Sequence, residues 1–470
     1  MEETNPRNWS SRQKWTTVAI VSTFSFISTL ASSSISPALQ IFQAEFHVGQ
    51  EVAVLIFCIF NLGLTIGTVI SPPTSEKLGR RPVFVICMPL LLIFVLACGF
   101  SRSLGNLLTW RLVAGLFGSP GITIASATMT DLFESSERGP GMFCYYSMPW
   151  LGSLIGPLIG HLVLTQYGWA WTQWVFLLIA SPIVLVGVAL LKETRQDVIE
   201  QQDTDHKSWR ERANVHDLTS GLAQGVRSAP QFLATHILRP IRMLSDPIVG
   251  LVCLYSGFNF GLIYAFIVVV PEIFHKTYGF GYTGQGLAFL GLIIGGVAGW
   301  TSLIVDDKLL PSFKMSEPAS TLETADDNVG KATPAPENRL HGAMLGGVLL
   351  STGLYWFAWT ARAEVSYFSP ISAMILISWG SLNVYASTSA YVLDTYGPTY
   401  GASANGASSL ARYGMSFVAP LFALPMYHGL GTAWATTLLA ICATLMTPIP
   451  FCFYHWGPSI RARGKFTTEA

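Results

Sequence analysis

Charge is what this sequence has least of. Only 11% of its 470 residues are Asp, Glu, Lys or Arg, where a soluble domain carries roughly 25%. The 27 acids and 27 bases cancel, so there is no basic excess for a nucleic acid to bind, and none is expected as a partner. No acid falls deep in an apolar run: Glu51, Asp131, Glu272 and Asp394 all lie near run ends. Cysteine is sparse too. The seven (Cys58, Cys87, Cys98, Cys144, Cys253, Cys442, Cys452) sit in apolar runs without metal-type spacing and read as small apolar fillers rather than disulfides. With no metal spacing, nucleophile–base pairing or phosphate-binding glycine loop, an enzyme is not expected, nor a bound cofactor. Residues 1–15 are polar and have no apolar core followed by a small-residue cleavage site. No cleaved signal peptide is therefore expected, and the first span serves as its own insertion signal.

What the chain does have is apolar length. Twelve runs of about 20 residues, enough to cross a bilayer as helices, cover about 16–37, 52–72, 82–100, 105–127, 142–164, 171–191, 248–270, 284–304, 341–361, 367–390, 405–427 and 431–454. The expected fold is an all-α membrane protein of twelve transmembrane helices in two six-helix, pseudo-symmetric halves. The halves span 16–191 and 247–455, between a tail at 1–15 and another at 456–470. A charged linker, 192–246, joins them, and a second polar insert, 306–339, is rich in Pro, Ser, Thr and acids and cannot bury a core. If the N-terminus is cytoplasmic, 22 of the 27 Lys and Arg fall on that side. Arg102, Lys276 and Arg362 lie outside, and Arg111 and Arg412 lie within spans. The positive-inside rule then puts both termini in the cytoplasm, so the sequon Asn8-Trp-Ser10 is not glycosylated. Two sets of six helices around a central site is the layout of many secondary transporters. The partners expected are a small-molecule substrate and the lipid bilayer, with the chain acting as a monomer. A receptor or non-transporting sensor is the alternative from another class.

Three stretches carry the chemistry. The loop Pro72-Pro-Thr-Ser-Glu76-Lys77-Leu-Gly79-Arg80-Arg81 needs Gly79 for its turn and places an acid beside three cations. Glu76 can pair with Arg80 or Arg81, or face the positive end of a neighbouring helix. Such a contact would form only when the halves close on that side, making a conformational latch, which Asp131 and Arg138 at the next loop could join; the alternative is an ordinary solvated turn. In the fourth span, Arg111 lies about 10 Å deep at 1.5 Å per residue, with Gly115 and Gly118 leaving room around it. Intramembrane arginine is functional by default, unless it snorkels to the outer interface. In the fifth span, Gly152, Gly156 and Gly160 recur every four residues and give a face that a neighbouring helix can approach closely. Pro157 bends that helix. His161 lies on another stripe, with Trp150, Leu154 and Pro157, near the outer end; it either titrates with the external medium or is hydrogen-bonded at an interface.

These stretches resemble the major facilitator superfamily. The loop is similar to its signature Gly-x-x-x-Asp-x-x-Gly-Arg-Arg, with Pro72 in place of the first glycine and Glu76 in place of the aspartate. Arg111-x-x-x-Gly115 resembles the fourth-helix pattern that the family associates with proton coupling. Gly152-x-x-x-Gly156-Pro157-x-x-Gly160 resembles the fifth-helix motif of its exporters that exchange substrate for protons, with His161 where a second glycine is usual. Asn5-Pro-Arg-Asn-Trp-Ser10, Pro336-Glu-Asn-Arg-Leu340 and the closing Gly457-Pro-x-x-Arg461-Ala-Arg463 look like elements of the fungal drug:proton antiporter branch. The resemblance implies efflux driven by the proton gradient, across the plasma membrane or the vacuolar membrane. The glycine face would act as a sliding surface, and Arg111 and His161 would handle the proton. Uptake by symport or facilitated diffusion is the alternative.

For the substrate, amides and aromatics within spans are the candidates: Asn61, Tyr146, Trp150, Tyr255, Asn259, Asn383 and Tyr385, with the serine-rich first span as a polar lining. Such a set suits amphipathic organic molecules of moderate size; the resemblance to fungal members implies a drug, toxin or secondary metabolite as the cargo. The deep charges are Arg111 and Arg412, and there is no deep acid. A neutral or acidic cargo is therefore expected, with Arg412 as counter-ion for a carboxylate or phenolate.

Overall fold

The computed structural model describes residues 5–134, 137–199, 241–314 and 336–462. Residues 200–240 of the expected linker, 315–335 of the insert and 463–470 of the C-terminal tail lie outside the described residues. An apolar chain in a bilayer must satisfy every backbone group internally, and helices do this within each segment. The helices in chain order are α1 Ser11–Ser33, α2 Leu39–Phe46, α3 Gln50–Leu78, α4 Arg80–Gly99, α5 Leu104–Leu132, α6 Gly139–Leu164, α7 Ala170–Leu190, α8 Pro247–Tyr278, α9 Tyr282–Ala288, α10 Leu290–Lys314, α11 His341–Thr360, α12 Phe368–Met446 and α13 Pro448–Arg461. Helix α1 begins where Ser10 Oγ accepts from the Gln13 amide at 3.4 Å, an N-cap.

Nine stretches among the described residues are long and apolar enough to cross a membrane. One of these, Ser403–Arg461, is two passes, because α12 turns at Gly431 (φ 75). Helix α11 and the first part of α12, up to a second turn at Gly397 (φ 57), complete twelve. Positive φ at these turns is the region glycine enters without penalty. The same device makes the tight turn expected near residue 79. The expected loop 73–81 shrinks to Gly79 (φ 96), because α3 runs on through Pro72 and Pro73 to Leu78. Ser75 Oγ, donating to the Pro72 carbonyl at 2.8 Å, binds one of the polar groups near the prolines, which is how membrane helices tolerate them.

Helices α1 to α7 pack among themselves, α3 on α5 and α1 on α6 most extensively; α8 to α13 do the same, with α12 packed on α8, α10 and α11. The two groups meet along α3 with α12 and along α6 with α9 and α10. Helix α8 is almost wholly enclosed. By contrast, α4 and α7 turn Ile86, Ile93, Leu178, Leu185 and Leu190 outward, the face that lipid covers. The first-span serines do not line an open cavity, as the sequence suggested. Ser28 Oγ donates to the Gly118 carbonyl at 2.8 Å, Ser25 Oγ to that of Gly121, Ser33 Oγ to that of Gly152 at 3.3 Å and Ser32 Oγ to Asn61 Oδ1 at 2.6 Å. They are glue between helices, the other use of small polar residues in a bilayer.

Candidate functional site

Near mid-length of four passes, aromatic side chains from both groups of helices converge. Trp150 and Tyr146 come from α6, Phe260 from α8, and Tyr385, Arg412 and Tyr413 from the first two passes of α12. The Trp150 ring is 5.4 Å from Phe260 and 6.3 Å from Tyr385; Tyr146 is 5.2 Å from Tyr385, and Phe260 is 4.9 Å from Tyr385 and 5.8 Å from Tyr413. Trp150 Nε1 donates across to Ser378 Oγ at 3.1 Å. The Arg412 guanidinium lies 4.8 Å from the Tyr385 centroid and 5.6 Å from that of Phe260, within cation–π range. It is 1% exposed. Nη1 and Nη2 donate to Ser408 and Ser409 on its own helix, both at 2.7 Å. Among the described residues no carboxylate pairs with it. Its Nε, the hydroxyls of Tyr146, Tyr385 and Tyr413, and Asn259 Oδ1 are buried without a hydrogen-bond partner among the described residues. Each such orphan costs about 1–3 kcal/mol, and five of them gathered around one buried guanidinium make this cluster the candidate site.

The sequence candidates divide on this evidence. Tyr146, Trp150, Tyr385 and Arg412 come together. Asn259 sits at the edge, its Nδ2 donating to the Ser381 carbonyl at 2.7 Å. Asn61 is spent on a bond between the groups, Nδ2 to the Ser416 carbonyl at 3.2 Å. Asn383 is tied to Ser302 Oγ at 3.1 Å and to its own helix. The Tyr255 hydroxyl lies where a side chain on Gly347 of α11 would meet it. Phe260 and Tyr413 were not singled out from the sequence; no local pattern separates them from the chain's other Phe and Tyr.

Arg111 does not snorkel. It is 1% exposed and donates to three backbone carbonyls: Ile56 (2.7 Å), Ser32 (2.9 Å) and Phe57 (3.3 Å). It thereby ties α1, α3 and α5 together, with its guanidinium over the Phe60 ring at 5.3 Å. His161 is also 1% exposed. Its Nδ1 lies 2.7 Å from the Pro157 carbonyl, and its ring is 6.0 Å from Phe289 and 6.5 Å from Tyr282. It thus sits in the seam between α6 and the second group of helices, not in an open outer mouth.

The glycine face is where the sequence and the structure part. A Cβ on Gly152 would lie 2.5 Å from the Phe26 carbonyl oxygen, one on Gly156 2.0 Å from Ser33 Oγ, and one on Gly160 2.2 Å from the Ser34 carbonyl oxygen. All three positions press on α1, in the same group of helices. The face expected to slide is therefore packed inside the first group of helices and not between the two groups. What α6 presents to the other group is the Trp150–His161 stripe, and there the close approach is made by Gly286, whose Cβ would come within 2.8 Å of His161 Cβ.

The charged end is built differently from the expectation as well. Glu76 is half-buried and forms no ion pair among the described residues. The acid beside Arg80 and Arg81 is Glu193, just past α7. Its Oε1 accepts from the Arg80 amide at 2.9 Å and its Oε2 from the Arg81 amide at 3.0 Å, capping α4 at its positive end. The turn at Gly79 is closed over this carboxylate, since a Cβ there would lie 2.6 Å from Glu193 Oε2. The Arg80 side chain reaches Asp131 Oδ2 at 3.2 Å and Ser75 Oγ at 2.5 Å; the Arg81 side chain is exposed. Arg339 and Asp394 repeat the Arg80–Asp131 pair in the second group, at 3.1 Å. Arg138 crosses between the groups to Asp394 Oδ1 at 2.5 Å. At the opposite end, a cavity of about 310 Å³ lies between the groups, lined by Gln50, Glu51, Val52, Leu421, Leu424 and Pro425 among others. Glu193→Ala should therefore lower thermal stability, by about 1–2 kcal/mol for a lost helix cap, and Glu76→Gln should change it by less than about 0.5 kcal/mol. Melting of the two purified variants checks this, and equal losses would restore Glu76 to the latch.

Comparison with known proteins agrees with this architecture. Residues 21–420 match the family model described as Major Facilitator Superfamily. The chain is 31% identical to "Polyamine transporter 4" of Saccharomyces cerevisiae over 98% of its own length and 71% of the relative's. It is 31% identical to "Efflux pump radE" of Floropilus chiversii (99% and 84%) and 30% identical to "MFS-type transporter kojT" of Aspergillus flavus (99% and 81%). Among solved structures, the proton:xylose symporter XylE superposes with a TM-score of 0.66 over 95% of this chain and 97% of that one, at 13% identity. The human organic anion transporter MFSD10 does so with 0.61 over 94% and 99%, at 17% identity. Twelve helical passes in two groups, with a buried aromatic cluster where they meet, are accounted for together: the chain is a multi-pass membrane transporter, not an enzyme, and belongs to the major facilitator superfamily.

Proposed function

We propose that this transporter exports a small amphipathic organic compound across the plasma membrane in exchange for protons, by alternating opening of the two groups of helices. The observation that carries this is the mid-depth site. Its rings come from both groups, several of its polar atoms have no partner among the described residues, and the Arg138–Asp394 pair joins the two groups at one end. The direction rests on the Gly152–Gly160 motif, and relatives named "Efflux pump radE" and "Ascochitine biosynthesis cluster MFS transporter" support it. A relative named for polyamines points elsewhere, but a polycation needs acids beside it, and the described residues of this site have none. Arg111 and His161 are the proposed proton-coupling residues. Arg111 would act by holding the carbonyls that shape the first group, and His161 by sensing protonation in the seam when that seam parts.

The test is flux in inside-out vesicles with and without an imposed pH gradient, over neutral, acidic and cationic organic compounds. Gradient-driven uptake into the vesicles is expected, with a flatter dependence on lumenal pH in His161→Gln. Flux indifferent to the gradient would overturn antiport, and strong gradient-driven spermine transport would overturn the cargo class.

A further inference from the structure

We infer that the mid-depth site is built for a planar organic anion: an aromatic ring bearing a carboxylate or phenolate, with a hydroxyl elsewhere on the ring. This deepens the export reading above and rests on it only for placing cargo in this site. Three independent features specify the ligand. The first is charge. Arg412 is buried, uses two of its nitrogens on serine hydroxyls of its own helix, and faces no carboxylate among the described residues. A neutral serine pair orients a guanidinium without offsetting its charge, and the Phe260 and Tyr385 rings offset it only in part, so the missing partner is an anion, with the unpartnered Nε among the donors left for it.

The second is shape. Trp150 and Tyr385 lie with their ring planes 24° apart, and Phe260 stands edge-on to both at 80°. The rings touch one another in this structure, with centroids 4.9–6.3 Å apart, so the ligand would enter this corner as the two groups of helices part and Trp150 leaves Tyr385 and Phe260; a flat ring would then meet them by stacking and edge contact.

The third is hydrogen-bond polarity. The Asn259 amide is fixed in orientation, because its Nδ2 donates to the Ser381 carbonyl, which can only accept. Its Oδ1 is therefore an acceptor, buried and unpartnered, on an amide held to Ser381, which lies one helical turn of α12 before Tyr385. It calls for a donor on the ligand away from the anionic group. The Tyr146, Tyr385 and Tyr413 hydroxyls can give or take, and so fit either end. An organic cation would meet the guanidinium with like charge. A neutral aromatic would fill the corner and leave the charge unanswered.

Binding to purified protein in nanodiscs, followed by isothermal titration without any pH gradient, tests this. The probes are 4-hydroxybenzoate, its neutral methyl ester and tyramine. The wild type should bind the carboxylate roughly tenfold or more tightly than the ester, the scale of a charge-assisted hydrogen bond, and tyramine most weakly. Arg412→Met should abolish the preference for the carboxylate while leaving ester affinity within about twofold, since packing is retained. Arg412→Lys should keep part of it, and Tyr385→Phe should weaken both probes alike. Should Arg412→Met not fold, the Arg412→Lys and Tyr385→Phe pair still decides the question. Equal wild-type binding of carboxylate and ester, or a preference untouched at Arg412, overturns the inference. Anion-selective binding without gradient-driven flux would sink antiport and keep this site; gradient-driven flux of cargo without anion selectivity would do the reverse.

Discussion

Gly160→Ala should remove most of the folded protein from the membrane, although it adds a single methyl group far from Arg412. The new Cβ would lie 2.2 Å from the Ser34 carbonyl oxygen and 3.0 Å from Pro37 Cγ. A flexible side-chain tip could swing away, but a backbone carbonyl and a proline ring cannot. Helices α1 and α6 would have to separate, and the seam is continuous, so the contacts at Gly152 and Gly156 would open with it. Overpacking of this kind costs about 1–3 kcal/mol at an ordinary site and occasionally more, and the rigid neighbours here place it at about 3. Gly156→Ala should be milder when combined with Ser33→Ala, because the nearest clash, 2.0 Å, is with Ser33 Oγ; it will not be neutral, because the Ser34 amide nitrogen lies at 2.9 Å. Gly168→Ala, with open space around its Cβ, is the control. Yield and melting midpoint in detergent read the outcome. A Gly160→Ala protein as stable as wild type would show that α6 can ride away from α1, and would return this face to the role of a sliding surface.

That seam illustrates what a sequence can convey. A glycine every fourth residue announces that some backbone approaches closely, and that much was legible in 150–161. Which helix approaches is a tertiary fact, and the glycines turned out to serve α1 of their own group. The passes themselves were legible because a bilayer forces apolar segments into helices. Their ends were less so. Proline at 72 and 73 reads as a stop in a soluble helix, yet α3 continues past both.

Charged residues were legible as participants but not as partners. Arg138 was marked, but its acid lies 256 residues away along the chain. Arg80 was marked beside Glu76, yet the carboxylate at its amide is Glu193, 113 residues on. An acid directly after the sixth apolar run, on the same side of the membrane as the Arg80 turn, was the one available hint. In the site, Arg412 and three of the aromatics were recoverable because a deep charge with no acid is conspicuous. Phe260 and Tyr413 were not, since among 28 Phe and 16 Tyr nothing local sets apart the two that pack against each other in this cluster.

Asp394→Asn should open the charged end of the molecule. Asp394 answers two cations, with Oδ1 2.5 Å from Arg138 Nη2 and Oδ2 3.1 Å from Arg339 Nε. The side chains of Arg138 and Asp394 are 12% and 19% exposed, so water screens the pair only in part. Removing the carboxylate charge leaves two arginines facing each other, one from each group of helices. Breaking a fully buried pair costs about 3–5 kcal/mol; at this exposure about 2 kcal/mol is reasonable, which shifts an open–closed equilibrium by roughly thirtyfold. Arg138→Ala should shift it less, because the Arg339–Asp394 pair survives within the second group. Once Arg138 is gone, adding Asp394→Asn should matter less than it does alone, the non-additivity of residues that share a partner. Exchanging the charges, with Arg138→Asp and Asp394→Arg, should fail to rescue, since the new arginine would face Arg339. Hydrogen exchange of the peptides that begin α6 and that span 390–396 reads the opening directly. Faster exchange in Asp394→Asn than in Arg138→Ala, with export slowed in the same order, is the expected result. Exchange and export at wild-type rates in Asp394→Asn would mean that this pair is a surface contact and that the halves are held closed elsewhere, with the Asn61–Ser416 and Trp150–Ser378 bonds deeper in the interface as the next place to look.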